Sequence, residues 1–337
     1  MKIVNSGYEV VRKEDFKTPY EFLERIGRVC YKSEDKITEG SAVNFCISLS
    51  RNKHYAMLEH YWVHCIYRGT PQFQREEAQD VLRYIHYTCV NGYTYMSFPL
   101  RCCLEHFNEF CVNTGSGYFD GITPFYYIFG ATYDKFKELF IKDSEDTIFP
   151  DFSHLFNTII VKEDKFINSL EVELIKAGVN NEEINNILMK HKTHTVVFTC
   201  DRGISHELVR HRPCSFAMES TRYCNYTKGR LGEEITVINP SILYSEEQFE
   251  VWKKSCIEAE KTYFTLVNDM KMSPQLARDV LPTSLKTEIV MTANEEEWQH
   301  IVDLRVKGIT GVPHPQMYEL MKSWYEELIK LSGGRIQ

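Results

Sequence analysis

Residues 210–223 read RHRPCSFAMESTRY, and this stretch holds the most informative pattern in the chain. Three arginines and a histidine lie close together, with serine and threonine among them. A guanidinium presents a planar fork of donors that matches the oxygens of phosphate and pyrophosphate groups. The pattern predicts a helix end followed by a loop that binds a ligand with several anionic groups. A solvated basic loop that pairs with surface acids is the alternative.

The segments around this stretch alternate between strand-like and helix-like patterns. Residues 195–200 are apolar and β-branched, which predicts a buried strand, and a short helix is expected over residues 204–209. Residues 285–293 predict another strand, and Asn294 can cap a helix that opens with three glutamates. Further helices are expected from Pro19 with Thr18 as cap, at 41–51, at 245–270, from Pro274 towards Pro282, and at 313–331.

The middle of the chain has a weaker pattern. After a predicted strand at residues 61–67, expected helices at 133–141, 152–177 and 181–190 alternate with aromatic, turn-rich stretches. Helices and strands mix without βαβ regularity, and no G-x-G-x-x-G is present. We therefore predict an α+β fold with a mixed sheet and flanking helices, not a doubly wound dinucleotide-binding fold. One domain is expected over residues 1–337, with a long insertion at about 69–192.

Composition limits the function classes. The net charge of −8 disfavours a sequence-independent nucleic-acid binder, which usually carries a basic surface. The sequence contains no run of about 18 apolar residues, so no membrane span is predicted. The first residues do not resemble a signal peptide. The 11 cysteines are scattered without a C-x-x-C pair. These features predict a reduced, cytoplasmic protein with no membrane or nucleic-acid partner.

The motif at 210–223 resembles that of a known enzyme family. The order RHR at residues 210–212, seven residues, then Ser220 is similar to the signature of flavin-dependent thymidylate synthases. Residues 220–223 (STRY) resemble the family's Ser-x-Arg-Tyr continuation, and residues 206–209 (HELV) resemble its lead-in. Other similar segments are residues 28–31 (RVCY), 54–60 (HYAMLEH), 278–282 (RDVLP), Asn294, 304–305 (LR) and 314–316 (HPQ). The resemblance covers roughly residues 20–65 and 195–325.

The resemblance implies an activity, cofactors and an assembly. Members of this family methylate dUMP to dTMP, with methylene-tetrahydrofolate as carbon donor and NADPH-reduced FAD as hydride donor. They form homotetramers whose sites are shared between subunits, and their partners are small-molecule substrates. No enzyme nucleophile is needed, because the cofactors carry the chemistry while the protein orients and stabilises charge.

The resemblance also implies site residues. For FAD these are His60, Arg210, His211, Arg212, Asn294, His300 and His314, with His194 as an alternative to His60 for the histidine nearest the flavin. For dUMP they are Glu207, Ser220, Thr221, Arg222, Arg278 and Arg305. Of these, Ser220, Arg222 and Arg305 would act in catalysis by orienting the nucleotide and stabilising charge. Ser220 is not expected to act covalently, since no adjacent base is evident to activate it.

Several features of the sequence bear on other interpretations. Cys214 follows a proline, as the nucleophile of the unrelated cysteine-dependent synthases does, but we interpret it as a packing residue. Met218 and Glu296 depart from residues that some family members carry. No metal site is expected from the paired histidines, because no further ligands complete one. Two alternatives remain open: a flavin- or nucleotide-binding protein without turnover, and a nucleic-acid-binding protein that uses the arginine loop.

Overall fold

A computed structural model describes residues 1–69, 83–108, 111, 123–141, 151–152, 157–221, 226–227, 234–240 and 244–337. Its strands are β1 (Lys2–Val4), β2 (Gly7–Val10), β3 (Trp62–Arg68), β4 (His86–Val90), β5 (Tyr93–Pro99), β6 (Thr158–Val161), β7 (Thr193–Asp201), β8 (Ser215–Met218), β9 (Thr236–Ile238) and β10 (Lys286–Asn294). Its α-helices are α1 (Pro19–Tyr31), α2 (Ser41–Arg51), α3 (Tyr55–Leu58), α4 (Leu100–Phe107), α5 (Thr123–Phe136), α6 (Glu163–Lys176), α7 (Asn181–Met189), α8 (Arg202–Leu208), α9 (Glu246–Phe264), α10 (Pro274–Ala277), α11 (Glu295–Arg305) and α12 (Pro315–Leu331). The mixed α+β class is confirmed.

The first sheet positions the arginine-rich motif. Its strand order is β2-β7-β10-β8, and every pair is antiparallel. β7 and β10 pair over their full nine-residue lengths, and both are almost wholly buried. Their β-branched and apolar residues suit a strand covered on both faces. The strands predicted at 195–200 and 285–293 are therefore confirmed.

The two faces of this sheet contact different helices. Val196 and Phe198 of β7 pack against Trp298 of α11 and Trp324 of α12, whose rings lie 5.3 Å apart. Val197, one residue along and so on the other face, belongs to the core formed with α1 and α2. A parallel pair, β1 with β9, lies beside the sheet.

A second sheet contains the strand predicted at 61–67. Its order is β4-β5-β3-β6, again antiparallel throughout. β3 thus pairs with strands from the segment that we expected to be an insertion. The prediction of helix from residue 152 is wrong at residues 158–161, which form β6. A Thr-Ile-Ile-Val run favours a strand, and α6 begins only at Glu163, where two acids occupy its first turn.

Helix caps account for most of the correct helix predictions. Thr18 accepts a hydrogen bond from the backbone of Glu21, Ser245 forms a capping box with Gln248, and α2 matches its predicted range. Two other helices are shorter than predicted: α9 ends at Phe264 and continues as a π-helical turn, and α10 gives way to a 3-10 turn at Arg278–Val280. The helix predicted at 133–141 is displaced, because α5 begins at Thr123 and ends at Phe136, before a 3-10 turn at Lys137–Leu139.

A buried ion pair holds Arg335 against the start of α11. Glu295 is fully buried, and its carboxylate accepts from Arg335 Nε at 2.7 Å and Nη2 at 2.8 Å. The same carboxylate lies 2.8 Å from Nε2 of His194. Buried charges of this kind are stable only when they are paired. None of the described helices is both long and apolar enough to cross a membrane.

Candidate active site

Arg305, the last residue of α11, joins two segments that lie about a hundred residues earlier in the chain. Its Nη1 donates to Oε2 of Glu207 at 3.0 Å, and its Nε donates to Nε2 of His211 at 3.2 Å. Glu207 lies near the end of α8, whose first turn is capped by Asp201 at 2.7 Å from the backbone nitrogen of Ile204. The fold therefore brings together one residue expected at FAD and two expected at dUMP.

The environment of His211 keeps its imidazole neutral. The side chain is buried, and burial, followed by the positive charges of Arg305 and His300, lowers the pKa of His211 to about 4. Since Arg305 donates to Nε2, that nitrogen is the acceptor and the ring proton lies on Nδ1. Arg210 and Arg212 flank this ring, are exposed, and form no ion pair with a described residue. Their guanidinium groups are available to an anionic ligand.

We predicted that the motif continues as a loop after the helix end. This prediction is wrong beyond His211, because Ser215–Met218 forms β8 against β10. The backbone nitrogen of Glu219 then donates to the carbonyl of Glu288 at 2.9 Å, and that of Ser220 donates to Cys30 at 3.2 Å. These bonds hold residues 219–221, which we call the serine loop, against α1 and the sheet. Because β10 is itself a central strand, the loop has a rigid support.

A four-charge cluster fixes the residue before Ser220. The carboxylate of Glu219 is buried and lies 3.4 Å from Lys286 and 3.7 Å from Lys32. Glu288 contacts both lysines as well, and their charges lower the pKa of Glu288 despite its burial. Such a network of opposite charges restrains the loop that the resemblance assigns to dUMP.

Two arginines approach this loop from other elements. Nη1 of Arg278 donates to Oγ1 of Thr221 at 3.1 Å, so two residues expected at dUMP meet. Nη1 of Arg202, at the start of α8, donates to the carbonyl of Glu219 at 3.2 Å. Nε and Nη2 of Arg202 are buried and have no hydrogen-bond partner among the described residues. Arg222, expected to act in dUMP binding and catalysis, lies outside the described residues.

Sequence reasoning missed Arg202. The available signal was its place directly after a buried strand and eight residues before the Arg-His-Arg run, because strand ends commonly carry ligand-binding groups. An arginine with two unpaired, buried nitrogens costs stability unless a ligand completes its bonds. The side chain therefore adds a second cation beside the contact of Thr221 with Arg278.

The two candidates for the flavin-proximal histidine differ in their surroundings. Nδ1 of His60 lies 2.8 Å from Oγ1 of Thr292, while its buried Nε2 has no hydrogen-bond partner among the described residues. The neighbouring carbonyl of Glu59 accepts from Oγ of Ser215, in the strand that follows the Arg-His-Arg run, at 3.3 Å. His194 is instead engaged by Glu295. His60 therefore has an unpaired ring nitrogen and His194 a charged partner, and His60 stays our prediction for the histidine nearest the flavin.

Buried histidines predict a pH-dependent stability. Burial lowers the pKa of His60 to about 3 and that of His64 to about 4. Their unfolded forms titrate near pH 6.5 and bind protons that the folded forms do not, so stability is lost as pH falls from 6.5 towards 4. We expect each histidine to lower the free energy of unfolding by about 2 kcal/mol at pH 5 relative to pH 7.5.

Urea denaturation at the two pH values measures this loss. Replacing the exposed His206 with glutamine should leave the difference unchanged, because this residue is not part of the buried set. A free energy of unfolding that stays constant or rises between pH 7.5 and pH 5 would contradict the expectation.

A family model described as thymidylate synthase complementing protein matches residues 161–331, half of the chain. The chain belongs to this family. The matched range includes α8, the Arg-His-Arg run, the serine loop, β10 and α11. It also includes the last part of the segment that we expected to be an insertion, and it does not include residues 20–65.

Several proteins are similar to this chain in sequence or structure. The chain is 35% identical over 120 residues to a flavin-dependent thymidylate synthase of Pyrococcus furiosus, covering 35% of this chain and 48% of that protein. It is 38% identical over 110 residues to one of Thermococcus onnurineus, covering 32% and 42%. The chain thus spans about half the length of these relatives. A UMP/dUMP methylase PolB from Streptomyces cacaoi, solved with 5-Br dUMP, is similar with 20% identity and a TM-score of 0.37, covering 50% of this chain and 78% of that one.

Three further residues that the family resemblance assigns to FAD lie in different settings. Asn294 is buried and its side chain is already engaged, accepting from the backbone of Glu297 at 2.9 Å and donating to Lys190 at 3.1 Å. His300 is exposed but lies close enough to His211 for its charge to lower the pKa of that ring. His314 is exposed, and its charge acts on Asp201 in front of α8. The described residues thus place two of the three near the arginine motif.

Cys214, Met218 and Glu296, which raised other interpretations of the sequence, lie in different surroundings. Cys214 is buried in the core that the first sheet forms with α11 and α12, and burial raises the pKa of its thiol well above the usual range, so it is not a thiolate near pH 7. Met218 packs at the edge of the same core. Glu296 is exposed and lies 3.9 Å from Lys190. Among the described residues no group of three or more histidines, cysteines or acids is arranged to hold a metal ion.

Proposed function

We propose that this chain catalyses the flavin-dependent methylation of dUMP to dTMP, with FAD as hydride donor, NADPH as reductant and methylene-tetrahydrofolate as carbon donor. The observation that carries the proposal is the contact of Arg305 with both Glu207 and His211. Through one guanidinium it connects the Arg-His-Arg run, which is expected to bind FAD, to residues that are expected to bind dUMP. This chain matches about half the length of relatives named flavin-dependent thymidylate synthases, and these names support the same activity.

The residues available for FAD suit a large dianionic cofactor. Arg210 and Arg212 are exposed and unpaired among the described residues, so they would bind the diphosphate oxygens. Nε2 of His60 is a buried ring nitrogen without a partner among the described residues, which a polar edge of the cofactor would satisfy. When bound, FAD supplies the hydride for the new methyl group.

The residues available for dUMP form a cationic loop. Arg278 already bonds to Thr221, and Arg202, whose Nη1 donates to the carbonyl of Glu219, keeps Nε and Nη2 without a partner among the described residues. We propose that these arginines, with Arg222, bind the nucleotide phosphate and that Ser220 and Thr221 orient it. The four-charge cluster under Glu219 would keep this loop in place while the ligand exchanges.

Arg305 would act on the nucleotide base. Its guanidinium is fixed by Glu207 on one side and by a neutral His211 on the other, so its direction is set before the ligand arrives. A prepositioned cation stabilises negative charge that develops on the pyrimidine more effectively than a mobile one does. Nothing in this role requires a nucleophile, and the buried thiol of Cys214 is not suited to be one.

A visible spectrum of the purified protein tests the proposal. We expect a flavin absorption band that bleaches anaerobically after NADPH is added, and that bleaches faster when dUMP is present. Subsequent addition of methylene-tetrahydrofolate should yield dTMP. A colourless protein that cannot be reconstituted with FAD would contradict the proposal. A flavoprotein that binds dUMP but yields no dTMP would favour the reading as a binding protein without turnover.

Arg202 provides a second test. Replacing it with alanine is expected to weaken dUMP binding by about ten- to a hundredfold, because a charged hydrogen bond to phosphate contributes about 1.5–3 kcal/mol. FAD content should be unchanged, since Arg202 contacts the serine loop and not the flavin run. Calorimetric titration with dUMP measures the affinity.

Arg12 gives a matched control, because its exposed guanidinium contacts only Glu327 among the described residues, at 3.5 Å. Changing Arg12 to alanine should leave dUMP affinity unaltered. Equal affinities in the Arg202 variant and the unaltered protein would remove Arg202 from the site.

The proposal extends to assembly and domain organisation. We propose a homotetramer with shared sites, and apolar side chains exposed around α9 and α10, including Val251, Met270 and Leu276, support burial of this face between subunits. We also propose that both sheets form one domain. Lys13, which follows β2, and Lys192, which precedes β7, both pair with Glu163 of the second sheet's α6, and this supports that view.

A further inference from the structure

The two neighbours of His60 are held by the first turn of α4. The carbonyl of Tyr61 accepts a hydrogen bond from the backbone nitrogen of Leu100 at 2.8 Å. The carboxylate of Glu59 accepts from Nη1 of Arg101, also at 2.8 Å. Leu100 and Arg101 are the first two residues of α4. Two consecutive residues of one helix therefore contact both residues that flank His60.

α4 belongs to the segment that we expected to be an insertion, and the second sheet fixes its position. The helix follows β5 directly, and Pro99, the last residue of β5, pairs with Trp62, the first residue of β3. Its apolar side is buried in the core formed with α1 and α2, through Leu100, Cys103 and Phe107. Because close-packed cores deform little, a helix anchored in this way can hold a side chain on its other side in one direction.

The ion pair of Arg101 with Glu59 is fixed at both ends. Burial raises the pKa of the Glu59 carboxyl, and the hydrogen bond and charge of Arg101 oppose that rise. The carbonyl of Glu59 also accepts from Oγ of Ser215 in β8. Nε of Arg101 donates to Glu105, one turn later in α4, at 2.9 Å. Since two nitrogens of the planar guanidinium are engaged, its direction is defined.

The ring of His60 is held from the other side by the first sheet. Its Nδ1 lies 2.8 Å from Oγ1 of Thr292, which in turn lies 2.7 Å from Oγ1 of Thr195. The ring is fully buried, so a small rotation of the chain at residues 59–61 would change the direction of Nε2. The orientation of His60 therefore depends on two supports: the first sheet at Nδ1, and α4 at the chain on either side of the ring.

We propose that Arg101 is a positioning residue for the flavin site, which acts through Glu59 on the orientation of His60. The inference rests on the proposed function, because it takes His60 as the histidine nearest FAD. It also gives the segment between the two sheets a role: the second sheet places α4 where its first turn sets the direction of His60 before the cofactor binds. Such preorganisation raises affinity, because fewer groups must be ordered on binding. Arg101 needs no contact with the flavin in this role.

Fluorescence titration of the full chain, freed of FAD, with FAD measures the effect on the cofactor. In Arg101→Ala we expect the Kd for FAD to rise about three- to fivefold, the range of a partly exposed ion pair. The visible band of the bound flavin should also change position, because the ring beside it turns. Arg101→Lys keeps the charge without the planar fork and should restore part of the affinity. The matched control is Arg25→Ala, which removes an arginine from an ion pair between α1 and β2, with Glu9 at 3.1 Å.

Hydrogen exchange of the FAD-free chain tests the support itself. The amides of Glu59 and Tyr61 donate to the carbonyls of Tyr55 and Leu58. Peptides that cover residues 58–62 should take up deuterium faster in Arg101→Ala, because this short segment loses its tie to α4. Peptides of β7 and β10 should keep their uptake, and Arg25→Ala should leave residues 58–62 unchanged.

Faster exchange confined to residues 58–62, weaker FAD binding and partial rescue by lysine together support the inference. It is overturned if Arg101→Ala leaves either the exchange or the affinity for FAD unchanged, if exchange rises equally in β7 and β10, or if Arg25→Ala has the same effects. These outcomes concern a protein that binds FAD. An unaltered protein that binds no FAD contradicts the proposed function and with it the flavin role of Arg101, whereas the exchange experiment still decides whether α4 holds the chain at His60.

Discussion

Arg305→Ala is expected to lower the rate of dTMP formation at saturating dUMP by about a hundredfold or more, which corresponds to about 3 kcal/mol of transition-state stabilisation. Arg305 contacts both Glu207 and His211, so its loss removes the fixed cation and leaves the Glu207 carboxylate without that partner. A single-turnover assay of the reduced enzyme measures the chemical step. Because the Arg305 charge lowers the pKa of His211, that pKa should also rise in the variant.

The control for this prediction is Lys307→Ala. It removes the same charge two residues later, where Lys307 contacts Asp303 at 2.8 Å on the surface. We expect its turnover to match that of the unaltered protein. An Arg305 variant with a normal rate, or one whose rate loss follows only from lost FAD, would show that Arg305 does not act on the nucleotide.

Arg335→Ala is expected to destabilise the fold by about 3–5 kcal/mol, the cost of leaving a buried charge without its main partner. Glu295 is fully buried, accepts two hydrogen bonds from Arg335, and would retain only His194 among its described partners. The expected loss is a large fraction of a typical stability of about 5–15 kcal/mol. Urea denaturation at pH 7.5 measures it.

Two comparisons sharpen this prediction. Arg12→Ala removes a surface ion pair with Glu327 and should lower the free energy of unfolding by at most about 1 kcal/mol. The double variant Glu295→Gln/Arg335→Met should be more stable than Arg335→Ala alone, because it leaves no unpaired charge in the core. If Arg335→Ala and Arg12→Ala were equally mild, the buried pair would not contribute as we describe.

The sequence pattern correctly predicted the helices and strands that are determined by residues close together in the chain. The apolar, β-branched residues of β7 and β10 and the caps at Thr18, Ser245 and Asn294 depend on neighbours in sequence. The pairing of β3 with β5 joins residues 25 to 37 positions apart, and its pairing with β6 joins residues 91 to 97 positions apart. Local periodicity does not encode such contacts. β8 was missed for a related reason: four residues become a strand because β10 offers an edge.

The candidate site was predictable from the sequence only in part. Residue chemistry alone indicated an anion-binding loop at the arginine motif, and the family resemblance supplied Glu207 and Arg305 as partners. Their meeting with His211 required the fold, because α11 must return its last residue to the end of α8. Arg202 could not be recognised in advance, since its unpaired nitrogens are a property of burial and not of spacing.

The central position of β10 has a consequence for hydrogen exchange. Residues 289–292 pair with β7 on one side and with β8 on the other, so their amides exchange slowly and chiefly through global unfolding. One end of this strand supports the serine loop through Glu288, and the other contacts His60 through Thr292. A bound ligand slows global opening in proportion to its occupancy and affinity. The deuterium uptake of this one strand therefore measures the binding free energy of either ligand, whereas uptake in the loops measures only where that ligand sits.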